Sequence, residues 1–248
     1  GRCGTGRRPV VDVGGALPRL AEVVVEGADD HIRVPVAVDI SRRPHRPAEP
    51  AVLLPSGHGP DGLGGEARIG CDLHWAFTAE EAIALAAELA PHRPWFLEAP
   101  VAPEDLEGLC TVADRSGQQI AVGEEWRTLF DARLRLDRKG CHIVQPEMGH
   151  TGITQFVRIA RHAATCGVAL MPHATIGAGV FLAASLQAAA ALPGLVAHEY
   201  QHSVFDSFRS FTGDALVCRS GAYLVPGAPG LGVEPSAEMR AAMTLLPA

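Results

Sequence analysis

The 248-residue chain lacks several features that would place it in other classes of protein. It has no run near the roughly 18 consecutive apolar residues that a bilayer-spanning helix needs. Its first residues also lack the apolar stretch of about 7–15 residues that marks a secretory signal. The six cysteines form no C-x-x-C pair, which argues against a zinc site and against a disulfide framework. We therefore expect a soluble, cytoplasmic protein whose cysteines are small, reduced core residues.

Basic residues are also in deficit. The chain has 21 Lys and Arg against 28 Asp and Glu, which gives a formal net charge of −7. The basic residues are scattered, so they do not resemble the charged surface that neutralises nucleic-acid phosphates. We therefore expect neither nucleic acid nor a membrane as a partner, and we expect the chain to act on a small molecule. The apolar content of 47% is enough to bury the core of one large domain.

What the chain does contain is a regular series of five acidic residues and one histidine, each of which closes a short apolar run. Successive members are separated by 26, 26, 23, 26 and 26 residues. That interval is about the length of one strand-and-helix unit in a barrel of parallel strands. Because the C-terminal ends of barrel strands face one mouth, we expect these side chains to converge there. The series is Asp72, Glu98, Glu124, Glu147, His173 and Glu199.

From Ala67 onward, short runs of Val, Ile, Leu and Phe alternate with longer stretches of helical periodicity, a pattern typical of parallel βα units. The fold class that this predicts is α/β, a TIM-type (β/α) barrel. The predicted strands are Ala67–His74, Trp95–Ala99, Gln119–Glu124, His142–Glu147, Val168–His173 and Leu195–Tyr200. The predicted helices are Thr78–Ala90, Pro103–Arg115, Leu129–Lys139, Ile153–Cys166 and Val180–Leu192.

The first 66 residues fit this pattern poorly. A closed barrel of this type needs eight strands, and the segment from residue 67 supplies six. Arg33–Ser41 is a candidate first barrel strand, but residues 42–66 are crowded with Pro and Gly. We therefore expect an irregular N-terminal segment over 1–66 and a barrel, incomplete at strands 1 and 2, over 67–248. An uncovered strand edge of that kind could be covered in a homo-oligomer.

Seven motifs, in this order, resemble the C-terminal barrel of the enolase superfamily, and within it the mandelate racemase-like group. They cover about residues 69–234, and the series is far more specific than any one of its members. The resemblance implies a Mg²⁺-dependent enzyme that removes the α-proton of a carboxylate substrate. The motifs are GCDLHW, WFLEAPVAPEDLEGL, IAVGEEW, IVQPEMGHTGIT, LMPHATIG, HEYQ and VPGAPGLGVEP.

The resemblance implies that Asp72, Glu98 and Glu124 bind the Mg²⁺ ion. The chemistry agrees, because a hard divalent cation prefers oxygen ligands. A single carboxylate at a strand end is more often solvated or caps a helix. Three carboxylates in register with consecutive strands favour the metal site.

The resemblance also implies acid and base groups. His173 matches the general base, and Glu147 lies where the family usually has an aspartate that orients this histidine. Glu147 is one methylene longer than aspartate, and a displacement of about 1 Å can be expensive in rate. His74 matches the acid of sugar-acid dehydratases that resemble galactonate dehydratase, and strand alternation predicts that it faces the same side as Asp72. Glu199 matches a substrate-binding carboxylate.

These roles predict an acid-sugar dehydratase, a lyase that eliminates water from a small sugar-acid substrate. One alternative is a racemase, epimerase or cycloisomerase of the same superfamily, which would use the same metal and a different acid. The other is a catalytically inactive, truncated homologue that binds metal or acid without turnover, since function resides in the complete site.

Other residues near the motifs receive simpler interpretations. His150 is interpreted as a solvated loop residue, and Trp75 and Trp126 as packing or rim residues. The family's N-terminal capping domain is not recognisable in residues 1–66. The chain has one lysine, Lys139, and this excludes the Lys-x-Lys pair that racemase-type members carry on the second strand.

Overall fold

The computed structural model describes residues 23–26, 68–173, 177, 179–199, 209–216, 218–219, 222–223 and 225–244. These residues belong to two compact units, and the division between them falls after Ile120. The strand predicted over Arg33–Ser41 lies outside the described residues. Within the described part of the chain, no helix combines the length and the apolar character needed to cross a bilayer.

The first unit is built on a sheet in which β2 lies between β1 and β3. Strand β1 pairs antiparallel with β2, and β2 pairs parallel with β3. The Leu97 amide donates to the Gln119 carbonyl at 2.8 Å, which brings the residue before the next strand alongside β3. The strands are β1 (Val23–Glu26), β2 (Arg68–Asp72) and β3 (Phe96–Glu98).

Two helices of the first unit begin at side-chain caps. Helix α1 (Ala79–Leu89) starts with a capping box, in which the Glu81 amide donates to Thr78 Oγ1 and the Thr78 amide donates to the Glu81 carboxylate. Helix α2 (Leu106–Arg115) starts later than the predicted Pro103, because the Asp105 carboxylate caps it by accepting from the Gly108 amide at 2.8 Å.

The second unit repeats the strand-and-helix order. Three parallel strands lie in the order β4-β5-β6. Each is followed by a helix, and the first and third of these helices, α3 and α5, pack against the second, α4. A hairpin of β7 (Cys218–Arg219) and β8 (Ala222–Tyr223) and a short helix, α6 (Ala237–Ala242), come near the end of the chain. The main elements are β4 (Ile120–Val122), α3 (Leu129–Leu136), β5 (Ile143–Val144), α4 (Met148–Thr165), β6 (Ala169–Leu170) and α5 (Val180–Ala190).

The predicted α/β fold with parallel strands is confirmed, although the strands are shorter than predicted. The segment Leu195–Tyr200 is not a strand over its described part and makes one bridge, from Leu195 to Leu170. In a parallel ladder the hydrogen-bond donors on one strand come from alternate residues. Here the donors toward the β6 side are Val196 and Glu199, so the alternation breaks.

Helix α4 differs most from its prediction. It begins at Met148 rather than Ile153, and Glu147 is its N-cap residue. The backbone breaks at Gly152, with φ 60° and ψ 167°, a conformation that is essentially restricted to glycine. Polar and glycine residues between 147 and 152 made this stretch look like a loop in the sequence. The helix instead starts at once and bends at Gly152.

The cysteines partly follow the prediction of reduced core residues. Cys71 and Cys141 are buried thiols, and burial raises the pKa of Cys71 to about 12. Cys110 is half-buried. For Cys166 the prediction is wrong, because this free thiol is exposed at the C-terminal end of α4.

Candidate functional site

Two carboxylates of the first unit lie side by side at the C-terminal ends of neighbouring strands. Asp72 is the last residue of β2 and Glu98 the last residue of β3, and the two are paired in the parallel register. The Leu73 amide donates to the Glu98 carbonyl at 2.9 Å and extends this pairing past the strand ends. Glu98 is buried, and the Asp72 side chain is 19% exposed. The sequence spacing predicted that these two residues lie at the ends of adjacent strands, and the strand register places them there.

His74 lies next to Asp72 for a reason other than the predicted one. Strand β2 ends at Asp72, so the alternation of a strand does not reach His74, and that argument was wrong. The His74 backbone turns into the left-handed region, with φ 45°, and its amide donates to Asp72 Oδ1 at 2.8 Å. The imidazole Nδ1 lies 3.6 Å from Asp72 Oδ2, and the side chain is 53% exposed.

His173 of the second unit lies among three carboxylates. Its Nδ1 lies 3.1 Å from Glu147 Oε2, and its Nε2 lies 3.0 Å from Glu124 Oε2 and 3.7 Å from Glu199 Oε2. The His173 side chain is 17% exposed. The structure therefore brings together the histidine and the three acids that the sequence places at the fifth to eighth strands of the expected barrel.

These neighbours control the charge of the His173 ring. Burial lowers the pKa of His173, but the hydrogen bonds with Glu124 and Glu147 and the charge of Glu199 outweigh burial and raise this pKa to about 12. The ring is therefore held as an imidazolium by its carboxylates. A cation that took the Glu124 carboxylate would remove one of the causes of this high pKa. The other nitrogen, Nδ1, would keep its contact with Glu147.

Glu147 occupies a well-defined position between β5 and α4. Because it is the N-cap residue, its backbone is extended while the next residue is already helical. The longer side chain spans the distance to His173 with a 3.1 Å contact. A Cβ atom on Gly149 would lie 2.9 Å from Glu147 Oε1, so a side chain at position 149 would crowd this carboxylate.

The backbone carbonyl of Glu199 is held by two donors that the sequence did not reveal. His198 Nδ1 donates to it at 2.9 Å and the Tyr223 hydroxyl at 3.3 Å. His198 Nε2 accepts from the buried Ser185 hydroxyl at 2.8 Å. Burial lowers the pKa of His198 to about 4, so the ring stays neutral. A serine within the Ala-rich segment that forms helix α5 is the sequence signal that could have suggested a polar partner, and the structure buries it fully.

His150 is also placed differently from its prediction. It lies in the first turn of α4, and its Nδ1 donates to the Glu124 backbone carbonyl at 2.8 Å, so it is not a merely solvated loop residue. Trp126 is 1% exposed, which agrees with the predicted packing role, and the Arg135 guanidinium lies 5.9 Å from its ring centroid. Trp75 is partly buried beside the His74 ring.

Parallel strands followed by carboxylates and histidines at their C-terminal ends are typical of α/β proteins whose acid–base sites lie at that end of the strands. The family follows from a direct comparison. Residues 60–239 match the sequence model of the family described as Enolase C-terminal domain-like. The chain belongs to this family, as its motifs indicated.

Curated relatives include two sugar-acid dehydratases. D-galactonate dehydratase from Ralstonia pickettii is 38% identical over 116 residues, which are 46% of this chain and 30% of that protein. D-xylonate dehydratase from Haloferax volcanii is 29% identical over 174 residues, 70% of this chain and 42% of that protein. The chain therefore spans less than half the length of these relatives.

Solved structures include proteins of higher identity. A Sinorhizobium meliloti protein provisionally named an isomerase is 54% identical, with a TM-score of 0.71 over 73% of this chain and 48% of its own. A member of the enolase superfamily from Agrobacterium tumefaciens is 51% identical, with a TM-score of 0.70 over 73% of this chain and 46% of its own. The chain also spans about half the length of these two proteins.

Proposed function

We propose that this chain carries the catalytic barrel of a Mg²⁺-dependent acid-sugar dehydratase. The single observation that carries the proposal is the contact of His173 Nδ1 with Glu147 at a strand end, with Nε2 on the opposite side of the ring. A carboxylate on one ring nitrogen orients the imidazole for proton transfer at the other. The two dehydratase relatives support this reading of the site.

The donor set fits Mg²⁺. Asp72, Glu98 and Glu124 offer carboxylate oxygens, which are the ligands that this hard cation prefers, and the first two end neighbouring strands in register. In this proposal all three hold the ion. When bound, Mg²⁺ supplies positive charge that makes the α-proton of a carboxylate substrate more acidic.

The chain's own residues supply the proton transfers. His173 acts as the base in its neutral form, which it can take once Glu124 is bound to the cation; its Nε2 then accepts the α-proton, while Glu147 holds the ring through Nδ1. His74, exposed beside Asp72, donates a proton to the β-hydroxyl as its C–O bond breaks and water leaves. The enol product then tautomerises to a 2-keto-3-deoxy acid. Glu199 faces the same ring nitrogen as Glu124 and is suited to a hydrogen bond with the substrate.

An isomerase is the second candidate, and the 54% identical Sinorhizobium meliloti protein favours it. A racemase or epimerase would use the same proton abstraction at His173 and return the proton without losing water. The two reactions differ in their product, because only dehydration forms a keto acid. Proton nuclear magnetic resonance of the product distinguishes a keto acid from an epimer.

The experiment is a screen of aldonic and aldaric acids for keto-acid formation with Mg²⁺ and with EDTA. We expect turnover with Mg²⁺ by the wild-type chain and none by His173→Asn. The matched control is His92→Asn, an exposed histidine after α1, which should turn over like the wild type. Magnesium should raise the melting temperature of all three proteins. Activity in His173→Asn would show that the base is wrongly assigned.

A further inference from the structure

We propose that Asp137, His162 and Cys166 form a site for a zinc-like divalent cation, separate from the carboxylates assigned to Mg²⁺. One oxygen, one nitrogen and one sulfur atom of these side chains lie within 4.8 Å of one another. His162 Nε2 is central, at 2.7 Å from Asp137 Oδ1 and 3.9 Å from Cys166 Sγ. The absence of C-x-x-C pairs therefore does not exclude zinc, because ligands from two helices meet here.

The distances suit a tetrahedral ion. Bonds of about 2.0–2.3 Å to nitrogen, oxygen and sulfur imply donor separations of roughly 3.3–3.8 Å in a tetrahedral site. The nitrogen–sulfur distance of 3.9 Å is already close to this value. The nitrogen–oxygen distance of 2.7 Å must open by about 0.7 Å, and the exposed Asp137 side chain can rotate to allow it. A water molecule would complete the four ligands.

The backbone already brings the three residues together. His162 and Cys166 are four residues apart on α4, which puts them on one face of the helix. Asp137 is the C-cap residue of α3 and Cys166 the C-cap residue of α4. Helix C-termini carry partial negative charge, so two helix ends favour a cation at this point. Helices α3 and α4 pack against each other, which keeps the two caps together.

The charged groups around the site leave it open to a cation. Arg133 Nε lies 3.1 Å from Asp137 Oδ2, so its positive charge is matched by the carboxylate oxygen that faces away from His162. Asp137 Oδ1, His162 Nε2 and the exposed Cys166 thiol remain on the other side. This combination of nitrogen, sulfur and oxygen donors suits zinc and is poor for Mg²⁺, which prefers oxygen alone.

The site lies at the edge of the second unit opposite to its acid–base group. Asp137 precedes β5 and Cys166 precedes β6, whereas Glu147 and His173 follow the same two strands. An ion bound there would join the ends of α3 and α4 and would contact no group of the proposed reaction. Its effect would be on the stability of the second unit, since a ligand that binds the folded state alone stabilises it.

The test is a titration of the reduced 248-residue chain with Co²⁺, a spectroscopic probe for zinc sites, in excess Mg²⁺. A thiolate bound to Co²⁺ gives a charge-transfer absorption that oxygen and nitrogen ligands do not give. We expect this absorption in the wild type at one ion per chain, with loss on adding Zn²⁺. Cys166→Ser should abolish it, and His162→Gln should weaken Co²⁺ binding at least about tenfold.

The control variant is Cys110→Ser, a half-buried cysteine on α2, which should keep the absorption. Circular dichroism without metal checks that all variants fold. Zn²⁺ should raise the melting temperature of the wild type and of Cys110→Ser but not that of Cys166→Ser. Absence of the absorption in the wild type, or its persistence in Cys166→Ser, would overturn the proposal. Neither readout needs turnover, so a failure here is separate from a failure of the proposed dehydratase activity.

Discussion

The two histidines assigned to proton transfer are held in opposite ways. His74 of the first unit is 53% exposed and follows its strand in a left-handed turn beside Asp72. His173 of the second unit is 17% exposed and has carboxylate oxygens at 3.0, 3.1 and 3.7 Å. The second histidine is oriented by side chains, whereas the first is positioned mainly by its backbone. A base that must approach one carbon atom benefits from the tighter arrangement.

The largest expected effect separates the two histidines by the step that each serves. In His74→Asn, keto-acid formation should fall by about 10²–10⁴-fold, because the leaving hydroxyl loses its proton donor. Exchange of the substrate α-proton with deuterated solvent should survive, since His173 is intact. In His173→Asn both signals should disappear. Nuclear magnetic resonance in deuterium oxide measures them together. Loss of exchange in His74→Asn would mean that the two roles are not divided in this way.

The next effect tests how closely the His173 ring is oriented. Glu147→Asp restores the residue type usual in the family but shortens the side chain, and the 3.1 Å contact would be lost. A misplacement of about 1 Å can cost about 10²-fold in rate, so we expect kcat to fall by that factor with little change in KM. Glu80→Asp, on the exposed face of α1, is the matched control and should have no effect. Unchanged kcat in Glu147→Asp would show that the glutamate is not required.

Much of this arrangement is visible in the sequence, and the reasons for the misses are local. The regular spacing marks the ends of β2 and β3 at Asp72 and Glu98, and its later members lie two or three residues past the ends of β4, β5 and β6. The contact of Glu147 with His173 depends on a helix that begins at once after the strand, which polar and glycine residues concealed. The His74 turn has no sequence marker, since it places a non-glycine residue at positive φ. The hydrogen bonds around Glu199 join residues 1, 13 and 24 positions apart and follow no period.

A smaller effect concerns the support of Glu199. The pKa of His198 is lowered to about 4 in the folded chain, against about 6.5 when unfolded. Between these values the unfolded state binds the extra proton, so stability falls as pH decreases from 6.5 toward 4. After discounting for partial exposure, we expect a loss of about 2 kcal/mol from this residue. Urea unfolding of the wild type and His198→Gln across this range measures it. Equal pH slopes in both proteins would contradict the assignment.

The smallest effect is at the break in α4. Gly152→Ala forces a residue with a side chain into φ 60° and ψ 167°, whereas the added methyl group meets no atom within 4 Å. The cost is then backbone strain alone, about 1 kcal/mol of unfolding free energy. Thr154→Ala, two residues later on the exposed side of the helix, is the control and should change stability little. A cost above about 3 kcal/mol would indicate crowding in addition to strain.

This break has a consequence for how the protein can change over evolutionary time. The first turn of α4, with Glu147 and His150, is separated by the break from the rest of the helix, and α4 packs against α3 and α5. Substitutions in the part of α4 after Gly152 can therefore shift the axis of that part while the first turn keeps its orientation. A continuous helix would transmit every such shift to the carboxylate that steers His173.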